Sequence, residues 1–206
     1  MKKFLCILLI ICSFNLNVNG QETSHKDYSR LSFGAEWSYI ATYHYNTAFN
    51  YFNTEGYRTN RKASHTGYWG NAEALLHVGY NFNSHWNLAF YAGLTGFADI
   101  HNAVPMSIRA TYCFGNDPLK DRWLTFVDLG TGVSLKTEPQ EIWTGKLGGG
   151  YRITLSRDTK LDFIASFRLA CTHPQIFDGE DIITLEWTNR NVALLRSITL
   201  GMSITF

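Results

Sequence analysis

The 206-residue sequence predicts an all-β fold, an eight-stranded antiparallel transmembrane β-barrel with short periplasmic turns and longer extracellular loops. Three observations lead to this fold class. Eight stretches alternate apolar and polar residues with a period of two, which indicates strands with two unlike faces. The connections between them alternate between short and long. After the first 30 residues, no apolar run reaches the length that a membrane helix needs.

The N-terminal segment, residues 1–20, is predicted to be a secretory signal peptide. Lys2 and Lys3 precede an apolar run that is too short to span a bilayer as a helix. The small residues Val18 and Gly20 then mark a cleavage site at the end of the segment. The protein is therefore expected to be exported.

The exported chain is predicted to have a periplasmic N-terminal stub, residues 21–30, and one transmembrane β-barrel domain, residues 31–206. An alternative for the leader is lipidation at Cys12, but Ile11 before it is bulkier than lipoprotein processing prefers.

Removal of Lys2 and Lys3 leaves 16 basic and 17 acidic residues, because the full sequence has 18 and 17. This near balance predicts no nucleic-acid partner.

The eight predicted strands share alternation and a length of about ten to sixteen residues, enough for a tilted membrane strand. They are residues 31–43, 68–82, 86–98, 104–114, 123–135, 142–155, 160–171 and 191–206. The short links are residues 83–85, 115–122 and 156–159, and the links on the other side are residues 44–67, 99–103, 136–141 and 173–190. Because the short links fall on the side of both termini, that side is predicted to be periplasmic.

The two strand faces differ in size as well as polarity. In the first strand, the odd positions from Leu31 to Tyr43 are all apolar or aromatic, and the even positions are mostly small and polar. An eight-stranded barrel is only wide enough inside for its own side chains. We therefore expect the small polar face inside and the bulky apolar face against lipid. A soluble, lipocalin-like barrel with the faces exchanged is the alternative.

Extending the strand parity places a network of titratable side chains in the lumen. These residues are Glu36, Glu73, His77, Arg109, Asp128, Lys146, Arg152, Asp162 and Arg168. Four acids balance four fixed cations, and charges in a narrow interior must be paired or each costs several kcal/mol. The sequence therefore predicts a filled, charge-paired lumen. The alternative is an ion or proton path, that is, a small pore.

The first long link, residues 44–67, combines aromatic, amide and basic side chains. The candidate binding residues are Tyr45, Tyr51, Tyr57, Arg58, Arg61 and Lys62. Aromatic rings beside amides suit sugars, and cations near the outer leaflet suit lipopolysaccharide phosphates. An extra hairpin that folds over the barrel is an equally good account of the segment.

The second long link, residues 173–190, contains "DIITLEW", which could extend the neighbouring strands and dock a protein partner by strand addition.

The whole pattern resembles the small eight-stranded outer-membrane proteins of Gram-negative bacteria, the OmpA/OmpX-like barrels. The segments "WTGKLGGGYR" and "DPLKDRW" look similar to barrels of the Bacteroidota. The resemblance implies location in the cell outer membrane, with outer-membrane lipid and lipopolysaccharide as neighbours. It also implies that Phe206, with Ile198, Leu200, Met202 and Ile204 at every second position before it, is the assembly signal that the barrel-assembly machinery recognises.

Catalysis is the main competing function, because some outer-membrane barrels modify lipid A. A deacylase-like enzyme would need a Ser, a His and a carboxylate grouped near the outer leaflet. The link offers His44, Glu55, Ser64 and His65, but a His two residues before a Ser, as such deacylases have, is absent. The loop histidines show no metal-ligand spacing either. We therefore predict no catalytic residues, no metal and no cofactor, and a structural or binding role at the cell surface.

Overall fold

The computed structural model describes residues 29–98, 101–135, 139–179 and 181–206, with the backbone alone at position 185. The predicted signal peptide and residues 21–28 of the predicted stub lie outside the described residues. The described chain forms a closed antiparallel barrel of eight strands, which confirms the predicted fold class. Among the described residues, no helix is both long and apolar enough to cross a membrane.

The strands are β1 Leu31–Phe52, β2 Arg58–Asn81, β3 Trp86–Phe97, β4 His101–Cys113, β5 Arg122–Leu135, β6 Glu141–Thr154, β7 Lys160–Thr172, β8 Ile176–Asp178, β9 Asp181–Ile183 and β10 Thr188–Thr205. Around the barrel their order is β1-β10-β7-β6-β5-β4-β3-β2, and β8 pairs only with β9. A single 3-10 turn, Leu185–Trp187, precedes β10. Sequential strands are therefore neighbours everywhere except across the β7 to β10 connection and the closing seam.

The seam joins β1 to β10, the first and last strands. Gly34 lies opposite Thr205, and a side chain at Gly34 would collide with the carbonyl oxygen of Ile204. The Phe33 N–H donates to the Phe206 carbonyl at 3.0 Å, and the Phe206 N–H donates back at 2.8 Å. The barrel thus closes with a regular antiparallel ladder and leaves no open edge at this point.

The outer surface of the barrel carries a continuous band of large exposed apolar side chains. Leu129 and Leu200, for example, are 68% and 58% exposed. The band includes Phe33, Trp37, Leu76, Phe90, Ile108, Leu129, Leu147, Phe167, Leu200 and Met202. Apolar patches of this extent are rare on surfaces that face water. The side-chain alternation therefore puts the bulky apolar residues outside, as the sequence indicated.

Residues 44–67 are mostly strand, so the interpretation of this segment as a loop is wrong and it forms a hairpin, which was the alternative interpretation. β1 continues to Phe52 and β2 begins at Arg58, so that only residues 53–57 form the turn. The turn is closed by the Tyr57 N–H, which donates to Oδ1 of Asn53 at 2.7 Å, and by Gly56 with a φ of +83°. A β-bulge between Thr42 and His44 shifts the register of β1, which broke the alternation on which the prediction depended.

The extended strands form a three-stranded sheet beyond the barrel, which we call the protruding sheet. It consists of residues 44–52 of β1 with their ladder partners, residues 58–66 of β2 and 188–196 of β10. β2 pairs with β3 only from Glu73 onwards, and β10 pairs with β7 only from Ala193 onwards. The sheet therefore extends past β3 over its whole length, and past β7 at residues 188–192. It stands at the end of the barrel opposite Leu31 and Phe206.

Candidate functional site

Ten charged side chains among the described residues are buried or nearly buried in the barrel interior. They are Glu36, Glu73, Arg109, Arg122, Asp128, Lys146, Arg152, Lys160, Asp162 and Arg168. All the titratable residues predicted for the lumen lie in this interior, including His77, which is 7% exposed. Arg122 and Lys160 were not among the predicted residues.

Arg109 on β4 is the most fully bonded of these charges. Its Nη2 donates to Oε1 of Glu36 at 3.0 Å, its Nη1 donates to Oε2 of the same carboxylate, and its Nε donates to Oδ2 of Asp128 at 3.0 Å. The guanidinium also lies over the rings of Tyr91 and Phe126, 4.1 and 4.4 Å from their centroids. One side chain thereby ties together β1, β3, β4 and β5 inside the barrel.

Glu73 on β2 makes the second set of ion pairs, across the interior. It accepts a hydrogen bond from Nζ of Lys146 on β6, a strand that is not its neighbour in the ring. Arg168 on β7 approaches the same carboxylate at 3.9 Å. Arg168 also donates to Oγ1 of Thr95 at 3.0 Å and lies 4.8 Å from the ring centroid of Phe97. These contacts fill the middle of the barrel with paired charge.

A third ion pair lies nearer the short turns. Nε and Nη2 of Arg152 each donate to a different oxygen of Asp162 at 2.7 Å, a bidentate pair between the adjacent strands β6 and β7. His77 lies at the same end, where its Nε2 is 3.3 Å from Oγ1 of Thr205 and its ring stacks on Tyr91. The ion pairs therefore occupy the middle and the turn end of the interior.

The loop end of the interior is apolar, which differs from the small polar interior that the sequence predicted. Its buried cluster consists of Phe97, Ala98, Ala103, Ile142, Ala170, Ala193 and Leu195, with Tyr45 and Trp69 packed against it. This cluster lies where the protruding sheet leaves the barrel. It closes the loop end with ordinary hydrophobic packing.

The predicted binding residues do not share one surface. Tyr51 is buried, and Tyr45 stacks on His65 at 4.6 Å and packs edge-on against Trp69. Tyr57 is exposed at the tip of the hairpin. The two tyrosines on β1 therefore belong to the inner face of the protruding sheet, where Tyr45 packs against the apolar cluster.

Three of the predicted residues are exposed cations on β2, and alternation divides them between the two faces. Arg58 and Lys62 lie on the outer face, whereas Arg61 lies on the inner one. Nε of Arg58 donates to Oδ1 of Asn50 at 3.0 Å, which holds the guanidinium on the outer face.

The outer face of the protruding sheet carries two further cations that sequence reasoning missed, Arg190 and Arg196 on β10. Arg190 is paired with Asn50 and Arg196 with His44 in the β1–β10 ladder, so they lie on the same face as Arg58 and Lys62. Among its described residues this face carries no acidic side chain. It includes a shallow cavity of about 590 Å³ between Lys62, Arg190 and Leu194. Strand pairing, which a single sequence does not show, is what brings these four cations together.

The residues considered for a hydrolase do not assemble. Ser64 and His65 are adjacent on β2 and therefore point to opposite faces. Ser64 lines the outer cavity, His65 stacks on Tyr45, and Nδ1 of His44 is 3.1 Å from Oγ1 of Thr66. Within the described part of the chain, no group of three or more potential metal ligands forms.

No protein-family model matches the sequence, and no curated protein matches it. Among solved structures, the chain is similar to Neisserial surface protein A (NspA), at 13% identity and a TM-score of 0.49, over 86% of this chain and 96% of that one. It is similar to the outer membrane protein OprG of Pseudomonas aeruginosa at 8% identity and a TM-score of 0.48, over 88% and 99% of the two chains. It is also similar to Ail, the attachment invasion locus protein of Yersinia pestis, at 13% identity and a TM-score of 0.35, over 84% of this chain and 99% of that one. These neighbours are small outer-membrane eight-stranded β-barrels, and similarity at this level carries no argument about function.

Proposed function

We propose that this chain is an integral outer-membrane protein, exported by the predicted signal peptide, that binds lipopolysaccharide phosphates through the outer face of its protruding sheet. The barrel is the membrane anchor, and the basic face is the binding surface. The observation that carries the proposal is the cluster of Arg58, Lys62, Arg190 and Arg196 on one face of a sheet that continues the lipid-facing side of the barrel.

The distribution of polarity supports a membrane location. Ion pairs such as Arg109–Glu36 lie inside, whereas large apolar side chains lie outside. A soluble, lipocalin-like barrel needs the reverse arrangement, with its apolar residues in the core. An apolar exterior around a polar interior is the arrangement of outer-membrane barrels.

The asymmetry of the two ends supports the orientation. The links at the end that holds the termini are short, and the protruding sheet stands at the opposite end. In outer-membrane barrels the short turns are periplasmic and the longer segments extracellular. This orientation places the basic face just above the outer leaflet, where lipid A phosphates are concentrated.

The chemistry of the face suits phosphate groups. Arginine and lysine form charge-assisted hydrogen bonds with phosphate oxygens. Arg58, Lys62 and Arg190 are exposed, and no acid on the same face competes for them. The cavity beside Lys62 and Arg190 is lined partly by Val192 and Leu194, so it combines cations with an apolar floor. A phosphorylated, acylated sugar matches both features.

The proposal is tested by measuring lipopolysaccharide binding to the folded barrel in detergent. Replacing Lys62, Arg190 and Arg196 by Gln together should weaken binding about tenfold, because exposed charge contacts contribute roughly 0.5 kcal/mol each. Added salt should weaken binding of the unaltered protein as well. Arg61→Gln is the matched control, since it removes an exposed cation from the same strand but from the other face.

Lipopolysaccharide whose lipid A phosphates have been removed is the ligand control. Phosphate recognition requires that it bind more weakly than the intact form. Equal binding of the two forms, or an equal loss in Arg61→Gln and in the triple variant, would refute the proposal.

A further inference from the structure

A small cavity lies at the turn end of the barrel interior, far from the protruding sheet. Its volume is about 40 Å³, which is room for about three water-sized groups. The charged and titratable side chains on its wall include Arg122, Arg152, Lys160, His77, Asp158 and Asp162. Such a cavity is large enough for a small ion but too small for a sugar or a nucleotide.

The interior charges do not balance, and the excess lies at this cavity. In the part of the chain that the structure describes, six cations and four acids are buried or nearly buried in the barrel, a surplus of two positive charges. Arg109, Lys146, Arg152 and Arg168 all contact carboxylates. Arg122 and Lys160 form no ion pair with any described residue, although they are only 8% and 7% exposed. They are therefore the surplus cations.

Arg122 has bonding capacity left over. Its Nη1 donates to the carbonyl oxygen of Ser84 at 2.6 Å, but its buried Nε has no hydrogen-bond partner among the described residues. It is also directly opposite Arg152 in the β5–β6 ladder. Like charges at opposed positions are unfavourable, and so is a buried donor without an acceptor. One anion next to Arg122 would relieve both costs.

The acids nearby do not supply that anion. Both oxygens of Asp162 are bonded to Arg152. Asp158 is exposed on the turn between β6 and β7. It lowers the local excess of positive charge but forms no ion pair with a described residue. The buried Nδ1 of His77, on the same wall, also has no partner among the described residues. At Nε of Arg122, the cavity wall therefore presents a buried donor that no described acceptor satisfies.

We propose that this cavity binds a small inorganic oxyanion of the phosphate or sulfate class, held between Arg122 and Lys160. A tetrahedral oxyanion presents acceptors in several directions, so it can pair with Lys160 while accepting from Nε of Arg122. The site opens at the turn end and faces the inside of the barrel. A free anion can reach it there, whereas a phospholipid headgroup is tethered to chains on the outside.

The test is titration of the folded full-length barrel with inorganic phosphate, in a detergent without phosphate groups and at constant ionic strength. Calorimetry measures binding, and a heat-modifiable gel shift checks that each variant is folded. Arg122→Gln and Lys160→Gln should each weaken phosphate binding about tenfold or more, because each removes a charged hydrogen-bond donor. Phosphate should also raise the urea midpoint of the unaltered barrel.

Lys120→Gln is the control variant, since Lys120 is an exposed cation on the neighbouring turn that pairs with Asp117 at 3.4 Å. It should leave phosphate binding unchanged. The proposal is overturned if the unaltered barrel shows no saturable phosphate binding, or if all three variants bind alike. It is equally overturned if short-chain phosphatidylglycerol binds at this site and inorganic phosphate does not compete with it.

Discussion

The arginine and lysine side chains inside the barrel and those on the outer face of the protruding sheet lie in opposite environments. Arg109 and Arg168 are 3% and 1% exposed, and each contacts a carboxylate. Arg58 and Lys62 are exposed, with no acid on their face. A buried, paired charge stabilises the fold only while its partner remains. A solvated cation with no partner contributes little to the fold and stays available to a ligand.

Removing one partner of an interior pair should have the largest effect. Glu73→Ala leaves Lys146 and Arg168 without their shared carboxylate, and breaking a buried pair in this way costs about 3–5 kcal/mol. The free energy of unfolding, measured by urea titration of the folded barrel, should fall by that amount. Glu141→Gln, an exposed acid at the start of β6, should change it by less than about 0.5 kcal/mol.

Replacing the pair as a whole sharpens the same comparison. Glu73→Leu with Lys146→Leu should recover only part of the loss, because it removes the uncompensated charge of Lys146 but leaves Arg168 buried without a carboxylate. If the double variant is no more stable than Glu73→Ala, the pair itself would be essential, and the comparison would need revision.

A cation on the exposed apolar band tests the proposed membrane location of the barrel. Leu200→Arg should destabilise the barrel in a bilayer by about 2–4 kcal/mol, the cost of arginine near the membrane centre. Leu155→Arg, equally exposed but next to a short turn, should cost only about 0–1 kcal/mol. The measurement is unfolding in lipid vesicles, and equal costs at the two sites would argue against a membrane band.

Replacing Phe206 should reduce assembly of the barrel more than it reduces the stability of barrels already assembled. Its ring stacks on Phe33 with centroids 5.7 Å apart, a contact that contributes about 0.5–1.5 kcal/mol. Phe206→Ala should therefore lower the stability of assembled barrels only modestly. If the barrel-assembly machinery uses this residue, the amount inserted into the outer membrane, followed by a heat-modifiable gel shift, should fall much further. Equal losses would mean that Phe206 only packs against the seam.

The smallest effect is expected on the basic face. Lys62→Gln should change the free energy of unfolding by less than about 0.5 kcal/mol, since the side chain is exposed and has no ion-pair partner among the described residues. Measured alongside Glu73→Ala, this variant shows how little an exposed cation contributes to stability compared with a buried, paired charge. A loss of several kcal/mol would show that the face has a structural role.

Much of the fold followed from local pattern, because alternation records which face of a strand is buried. The parts of β1 and β2 that were predicted as a loop show where alternation fails to predict a strand. The bulge after Thr42 reverses the parity of β1, so that from Tyr45 onwards the odd positions face inward and polar residues such as His44 and Asn46 lie on the outer face. Such a segment looks irregular in sequence although its backbone is fully paired.

For the candidate sites, the sequence predicted which side chains face inward, but not which of them contact one another. Parity puts Glu73 and Lys146 on the inward side, yet only closure of the ring brings β2 across from β6. Lys160 had the inward parity but lies at the first position of its strand, and Arg122 lay in a predicted turn. Side chains at strand ends can reach water, so the sequence alone did not show that these two are buried.

The seam between β1 and β10 has a consequence for how the barrel forms. Gly34 and Thr205, paired across it, are 171 residues apart (205 minus 34), whereas the hairpins join strands only a few residues apart. Closing so long a loop costs about 3 kcal/mol more in chain entropy than closing a hairpin. The edge of β1 must therefore wait, unpaired on that side, until the last strand arrives. Until that moment the chain needs protection from pairing with other molecules.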